Sequence, residues 1–209
     1  MFKPLSMKAL LLTALALHFI GCSRLAIWME GVKQPALEDY YSLTEFLLKF
    51  EMDTADILCF KDTNALNNFY LKRIGLPESR FFNSDKNLVD YRESPEDCNG
   101  MVSVFLEKVE AIKNKPPVPN EYLSDYIRDL VHEQDQRPFV LEQEPYDLYL
   151  AIYWAKYLGK INKHKVFEWL SLVEDARKRG MRIRVFNINA DYQTAWKIKK
   201  TELPEFRFK

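Results

Sequence analysis

Leu148-Tyr149-Leu150-Ala151-Ile152-Tyr153-Trp154 is an unbroken run of seven apolar and aromatic residues, which predicts a strand covered on both faces. We expect this strand to span Asp147 to Trp154. A helix over Lys165 to Arg179 and a strand over Arg182 to Asn189 are predicted to follow it. A strand-helix-strand crossover of this length implies that the two strands pair in parallel, so the sequence predicts an α/β fold.

The other elements are predicted from apolar spacing and from turn residues. Helices are expected over Leu37 to Phe50, Asn64 to Ile74, Cys98 to Ile112 and Asn120 to His132, and from Asp191 onward. Strands are expected over Ala55 to Phe60 and, as a hairpin around Ser84-Asp85-Lys86, over Ser79 to Asn83 and Asn87 to Arg92. Asn64 is the expected N-cap of its helix. The domain is expected to span residues 37–209, and prolines mark a possible internal boundary at 114–120.

The residues after the apolar strand resemble the redox loop of thioredoxins, in which an apolar strand is followed by Trp-Ala and then by Cys-Gly-Pro-Cys opening a helix. Trp154, Ala155 and Gly159 fall in register with that pattern. Leu158 and Ile161 stand where the two redox cysteines would be, and neither can form a thiolate, which excludes dithiol exchange at this loop. The resemblance implies a thioredoxin-like three-layer α/β/α sandwich with a central mixed sheet and a degenerate active-site loop.

The first half of the chain resembles the back half of the same fold. It offers a strand at Ile57 to Phe60, a helix, Leu76-Pro77, a hairpin and a final helix. Pro204 is a second candidate for the proline that precedes the hairpin. Either both halves build one rearranged sheet, or a divergent first lobe packs on a shortened second one. We favour one shared sheet, because neither half looks complete alone.

Charge is distributed unevenly, although the formal net charge is zero. Residues 37–155 hold 23 acidic and 12 basic side chains, whereas residues 156–209 hold 14 basic and 6 acidic ones. The basic end would suit phospholipid headgroups or an acidic partner. Alternatively, the two segments interleave in the fold and neutralise each other. A pI near 6.8 and the export signal described next argue against nucleic acid as a partner.

The amino terminus predicts export and membrane attachment. Lys3 and Lys8 precede a thirteen-residue apolar run from Ala9 to Gly21, which is typical of a signal peptide and too short to span a bilayer. Phe19-Ile20-Gly21-Cys22 resembles a lipobox, with Phe19 where Leu is usual. The predictions are a signal peptide at 1–21, lipidation at Cys22, a tether at 22–36 and a lipid-anchored extracytoplasmic protein of the cell membrane or outer membrane. An uncleaved anchor is the alternative.

Few residues are available for catalysis. Cys98 begins a predicted helix, whose amides lower a thiol pKa, so it is the candidate catalytic nucleophile. Cys59 lies in an apolar strand, and two inert structural thiols or a Cys59–Cys98 disulfide remain open. His132 and His164 have no partner at metal-ligand spacing, and no Gly-rich phosphate loop occurs. We therefore expect no metal and no cofactor.

These observations predict a membrane-anchored thioredoxin-like protein that lacks the redox dithiol and serves as a binding or structural module. Its expected partners are the membrane, through the lipid anchor, and an envelope protein. The alternative is an atypical thiol-dependent redox protein that uses Cys98.

Overall fold

The computed structural model describes residues 29–71, 75–94, 97 and 100–205. The predicted signal peptide, Cys22 and Cys98 lie outside the described residues. The strands are β1 (Leu37–Glu38), β2 (Ile57–Phe60), β3 (Glu78–Asn83), β4 (Asn87–Val89), β5 (Pro117–Tyr122), β6 (Leu130–His132), β7 (Leu148–Trp154), β8 (Ile183–Asn189) and β9 (Tyr192–Gln193). The α-helices are α1 (Tyr40–Leu48), α2 (Thr63–Leu71), α3 (Met101–Glu107), α4 (Leu123–Ile127), α5 (Lys160–Asn162) and α6 (Glu168–Lys178).

Short helical segments complete the fold. A π-helical stretch, Lys163–Phe167, joins α5 to α6. The 3₁₀ segments are Val109–Asn114, Lys156–Leu158, Thr194–Trp196 and Lys200–Glu202. The expected helix over Cys98 to Ile112 is therefore α3 followed by a 3₁₀ segment.

One mixed sheet of seven strands contains strands from both halves of the chain. Its order is β5-β4-β3-β7-β8-β2-β6. The predicted parallel pairing of β7 with β8 is confirmed and runs from Leu148 opposite Ile183 to Trp154 opposite Asn189. Strand β2 pairs in parallel with β8, whereas the other neighbours are antiparallel. The α/β class is confirmed. Strands β1 and β9 form a separate parallel pair.

Apolar side chains pack on both faces of this sheet. On one face, side chains from α1, α3 and α6 cover Leu148, Leu150 and Ile152. On the other face, α2 and α4 cover Tyr149 and Ala151. All seven residues of β7 are consequently buried, as the continuous apolar run predicts.

Local chemistry explains the hairpin and the start of α1. The hairpin β3–β4 is confirmed, and the Asn83 side chain accepts hydrogen bonds from the Asp85 and Asn87 amides in its turn. Asp39 and Ser42 form a capping box, in which each side chain accepts from the other residue's amide. The helix expected from Leu37 therefore begins at Tyr40, and residues 37–38 form β1 instead.

The helix predicted over Asn120 to His132 is wrong. Residues 117–122 form edge strand β5, on which prolines are tolerated, and only Leu123–Ile127 is helical. Leu130–His132 then pairs with β2. Apolar residues here have helical spacing, but pairing with distant strands overrides it.

The helix predicted from Asp191 is also wrong. Tyr192–Gln193 is strand β9, and the 3₁₀ turn Thr194–Trp196 ends at Lys197, whose φ is +56°. The predicted N-cap Asn64 is wrong as well, because Asp62 accepts the hydrogen bond from the Ala65 amide and the helix begins at Thr63.

Candidate functional site

The candidate site lies at the carboxyl ends of β7 and β8, the edge where open α/β sheets place their ligands. Trp154 ends β7, is buried, and donates its indole N–H to Asn187 Oδ1 at 2.5 Å. Ala155 is fully buried behind it. A 3₁₀ turn, Lys156–Leu158, then leads through Gly159 into α5. The structure therefore places residues 155–161, the predicted site loop, between strand β7 and a helix.

Leu158 and Ile161 are both half-buried in this loop. Their side chains are aliphatic, so the loop offers no nucleophile at these two positions. Tyr157 between Lys156 and Leu158 is buried, and its hydroxyl lies 3.3 Å from that of Tyr70. Tyr70 donates to the Ala190 carbonyl. The loop is packed as a structural turn against the neighbouring elements.

The chain's own amino-terminal segment, residues 29–38, covers the loop; we call it the strap. The Lys33 amide donates to the Tyr157 carbonyl at 2.8 Å, and the Lys160 amide donates to the Glu30 carbonyl at 2.7 Å. Further along, Leu37 and Glu38 pair with β9. The strap therefore occupies main-chain positions that an extended ligand at this edge would need.

Gly159 packs directly against the backbone of the strap. A β-carbon at this position would lie 2.5 Å from the carbonyl oxygens of both Glu30 and Gly31. Gly159 also has φ +56° and ψ −126°, a conformation that L side chains rarely adopt. Glycine at this position thus permits both the loop conformation and the close approach of the strap.

Asp191 follows β8, and its carboxylate accepts a hydrogen bond from the loop. Its Oδ2 accepts from the Lys156 amide at 2.5 Å and from the Asn189 side-chain amide at 2.8 Å. Burial raises the pKa of Asp191 to about 7, and nearby Glu38 adds to the rise, while the hydrogen bonds from Lys156, Asn189 and the Tyr157 amide oppose it. Asp191 is consequently a buried carboxyl that titrates near neutrality.

Glu38 brings a second acid to the same place. It is 7% exposed, and its Oε2 lies 2.6 Å from the Lys156 ammonium and accepts from the Ser42 hydroxyl at 2.6 Å. Lys156 therefore contributes its backbone amide to Asp191 and its side chain to Glu38. Strap, loop and strand β8 are joined through this one lysine.

Acceptors outnumber donors in the buried part of this network. Asp191 Oδ1, Asn162 Oδ1 and Gln193 Oε1 accept no hydrogen bond from the described part of the chain. Their amide nitrogens are engaged: Asn162 donates to the Ala155 carbonyl, and Gln193 donates to Asn189 Oδ1. A protonated Asp191 supplies a donor where donors are scarce, in agreement with its raised pKa.

Cys59 lies apart from this loop, in the middle of β2. Its side chain is a free thiol that is completely buried. Burial raises its pKa to about 12, with a further increase from Glu133, although the Gln136 side chain donates a weak hydrogen bond to it at 4.0 Å. Such a thiol carries no thiolate near neutral pH, so Cys59 is chemically inert in the folded protein.

A groove of about 490 Å³ lies elsewhere, between α6 and the loop that precedes β2. Ile152, Phe167 and Leu170 supply apolar lining. Its charged rim is partly self-paired, since Arg184 faces Asp56 at 3.6 Å. The groove contains none of the predicted site residues.

The described residues contain neither a cluster of metal ligands nor a membrane-spanning helix. No set of three or more His, Cys, Asp or Glu side chains there could hold a metal ion. No helix in the described ranges is long and apolar enough to cross a membrane.

The structure thus brings together Trp154, Ala155, Leu158, Gly159 and Ile161, as their spacing requires, whereas Cys22 and Cys98 lie outside the described residues. Sequence reasoning missed Glu38, Asn162 and Gln193. Asp191 was noted only as the end of a strand. An acid directly after a buried strand was the available signal for it.

No protein-family model, no curated protein and no solved structure matches this chain.

Proposed function

We propose that this chain is a membrane-anchored, extracytoplasmic, thioredoxin-like protein that has no redox dithiol and serves as a binding or structural module in the cell envelope. Its partners are the membrane, through a lipid on Cys22, and an envelope protein.

The strand arrangement supports the thioredoxin-like part of the proposal. A thioredoxin-like sheet combines a parallel strand-helix-strand unit with an antiparallel hairpin. Here β8, β7, β3 and β4 are neighbours in that order. Strand β3 is antiparallel to β7, and β4 is antiparallel to β3. Pro77 directly precedes β3, the first strand of the hairpin. The hairpin comes before β7 in the chain, which is what a rearranged version of the fold requires.

One observation carries the non-redox part: the loop that would hold the dithiol has Leu158 and Ile161 and is covered by the strap. A redox loop must present a thiolate to a protein disulfide. Here the side chains are aliphatic, and the main chain is already paired with residues 30 and 33. We therefore infer that the protein acts by binding a partner through the surface of its folded domain while it is attached to the membrane.

The amino-terminal sequence supports the anchor. Gly21-Cys22 completes a lipobox-like stretch, and a two-chain lipid would give stable attachment without a spanning helix. The strap begins seven residues after Cys22, so the domain follows the anchor directly.

The experiment has two arms. Mass spectrometry of the protein purified from membranes is expected to find an acylated amino-terminal Cys22, and Cys22→Ser is expected to shift the protein to the soluble extracytoplasmic fraction. In-cell cross-linking is expected to give a defined adduct with an envelope protein. An unmodified Cys22 would contradict the anchor, and the absence of any adduct from surface positions on all sides of the domain would contradict the binding role.

A further inference from the structure

Exposed lysines gather at the carboxyl edge of the sheet, around the strap. We call this surface the basic edge; it consists of Lys33, Lys160, Lys163, Lys197, Lys199 and Lys200. Residues 155–167 contain four lysines and no acid, and residues 194–201 contain three lysines and no acid. The uneven charge of the sequence therefore survives folding as a local surface feature.

These lysines differ from the basic residues at the opposite edge. There, five basic side chains form ion pairs with acids at 4.0 Å or less: Arg177, Lys178, Arg179, Arg182 and Arg184. The six lysines of the basic edge form no ion pair with any residue that the structure describes. Glu30, Asp39, Glu202 and Glu205 are the acids of the flanking segments that reach the surface, so the six lysines outnumber them by three to two.

The strap connects this edge to the anchor. The Lys160 ammonium donates to the Met29 carbonyl at 3.2 Å, which places the start of the strap beside the lysines. Cys22 precedes Met29 by seven residues, and an extended chain of that length spans at most about 25 Å. A lipid on Cys22 would therefore keep the basic edge close to the bilayer surface.

We propose that the basic edge docks on the anionic phospholipid surface of the membrane in which the chain is anchored. This inference rests on the proposed function, because it needs the anchor on the same side as the lysines. Lysines near an anionic bilayer attract it by about 1 kcal/mol each, an attraction that falls off within a Debye length. Docking would orient the domain with the carboxyl edge toward the lipid and the opposite edge, with its ion-paired basic residues, away from it.

The test uses the mature chain, residues 22–209, with Cys22→Ser, so that no acyl chain contributes. Co-sedimentation is measured with vesicles of phosphatidylcholine alone and with vesicles of equal parts phosphatidylcholine and phosphatidylglycerol. Lys163→Gln, Lys197→Gln and Lys200→Gln are combined in one variant. The matched control combines the same change at three exposed lysines outside the basic edge: Lys49, Lys108 and Lys178.

We expect binding to the anionic vesicles only, weakening as salt is raised. The basic-edge variant should bind about a hundredfold more weakly, since three contributions of about 1 kcal/mol are lost, and the control should bind like the parent. No binding to anionic vesicles, equal losses in both variants, or binding to an acidic envelope protein without binding to lipid would overturn the proposal. Failure of the anchor would appear independently, as an unmodified Cys22 in the membrane-derived protein.

Discussion

Gly159 and Glu30 lie in such close contact that a β-carbon on the glycine would stand 2.5 Å from the Glu30 carbonyl oxygen. The atom that would be struck belongs to the backbone, so a side-chain rotation cannot relieve the clash. The strap and the loop of residues 155–161 are therefore in direct backbone contact at this point.

Gly159→Ala is expected to displace the strap. The strained backbone costs about 1 to 3 kcal/mol, and the clash with Glu30 adds to it. Hydrogen exchange should speed up at the Lys33 and Lys160 amides, which bond across this contact, and limited proteolysis should cut within residues 29–38.

Gly180→Ala is the matched control. Gly180 also has a positive φ, +95°, but a β-carbon there meets nothing within 4 Å. It should lower the free energy of unfolding without exposing the strap. Equal exchange rates at Lys33 and Lys160 in both variants would show that the strap does not depend on the glycine contact.

Asp191 is expected to make stability fall as pH rises. Its pKa is raised to about 7 in the folded protein from 3.8, so between these values the folded state holds a proton that the unfolded state has lost. The free energy of unfolding therefore decreases by up to about 1.4 kcal/mol per pH unit in that window and levels off above about pH 7.

Asp191→Asn removes this contribution. Urea unfolding near pH 4 should give similar stabilities for the variant and the parent, and the variant should become increasingly more stable than the parent up to about pH 7. Asp85→Asn, at an exposed position in the hairpin turn, should leave the pH profile unchanged. A parent-like slope in Asp191→Asn would assign the pH dependence to other groups, of which buried Glu133, whose pKa burial also raises to about 7, is the first to test.

Lys156 and Glu38 are expected to be energetically coupled. Lys156→Met leaves the buried Glu38 carboxylate without its ammonium partner. Glu38→Gln leaves an unpaired ammonium on Lys156, but solvent can hydrate it because the Lys156 side chain is 30% exposed. The lysine variant should therefore lose more stability, about 1 to 3 kcal/mol. A double-mutant cycle measured by urea unfolding should show that the double variant loses less than the sum of the single losses; strict additivity would mean that the pair contributes nothing.

Cys59 should resist alkylation in the folded protein. Its burial and its pKa, raised to about 12, leave no accessible thiolate near neutral pH. Peptide mapping after treatment with iodoacetamide should show a modified Cys59 in urea and an unmodified one in native buffer. Rapid native labelling that matches the rate in urea would contradict the buried position.

The sequence predicts the centre of this fold better than its edges. Strand β7 was predictable because burial on both faces demands an unbroken apolar run. Strands β5, β6 and β9 were not, because each exists through pairing with a strand far away in sequence, which local spacing does not report.

The same reason limits prediction of the site. The loop residues from Trp154 to Ile161 are contiguous, so their register could be read from the sequence. Glu38 and Lys156 are 118 residues apart, and their contact depends on β1 pairing with β9. Gly159 looked like a remnant of a redox motif, and its contact with the strap was visible only in three dimensions.

Thiol-disulfide exchange by the mature protein on a protein disulfide substrate distinguishes a binding module from a redox protein. The parent and Cys98→Ser are compared, with thiol titration of both in the folded state. A module without a redox dithiol predicts no turnover by either protein above the reductant alone. Turnover by the parent that disappears in Cys98→Ser, together with a Cys98 thiol that titrates well below its usual value of about 8.5, would contradict the account and establish a redox protein.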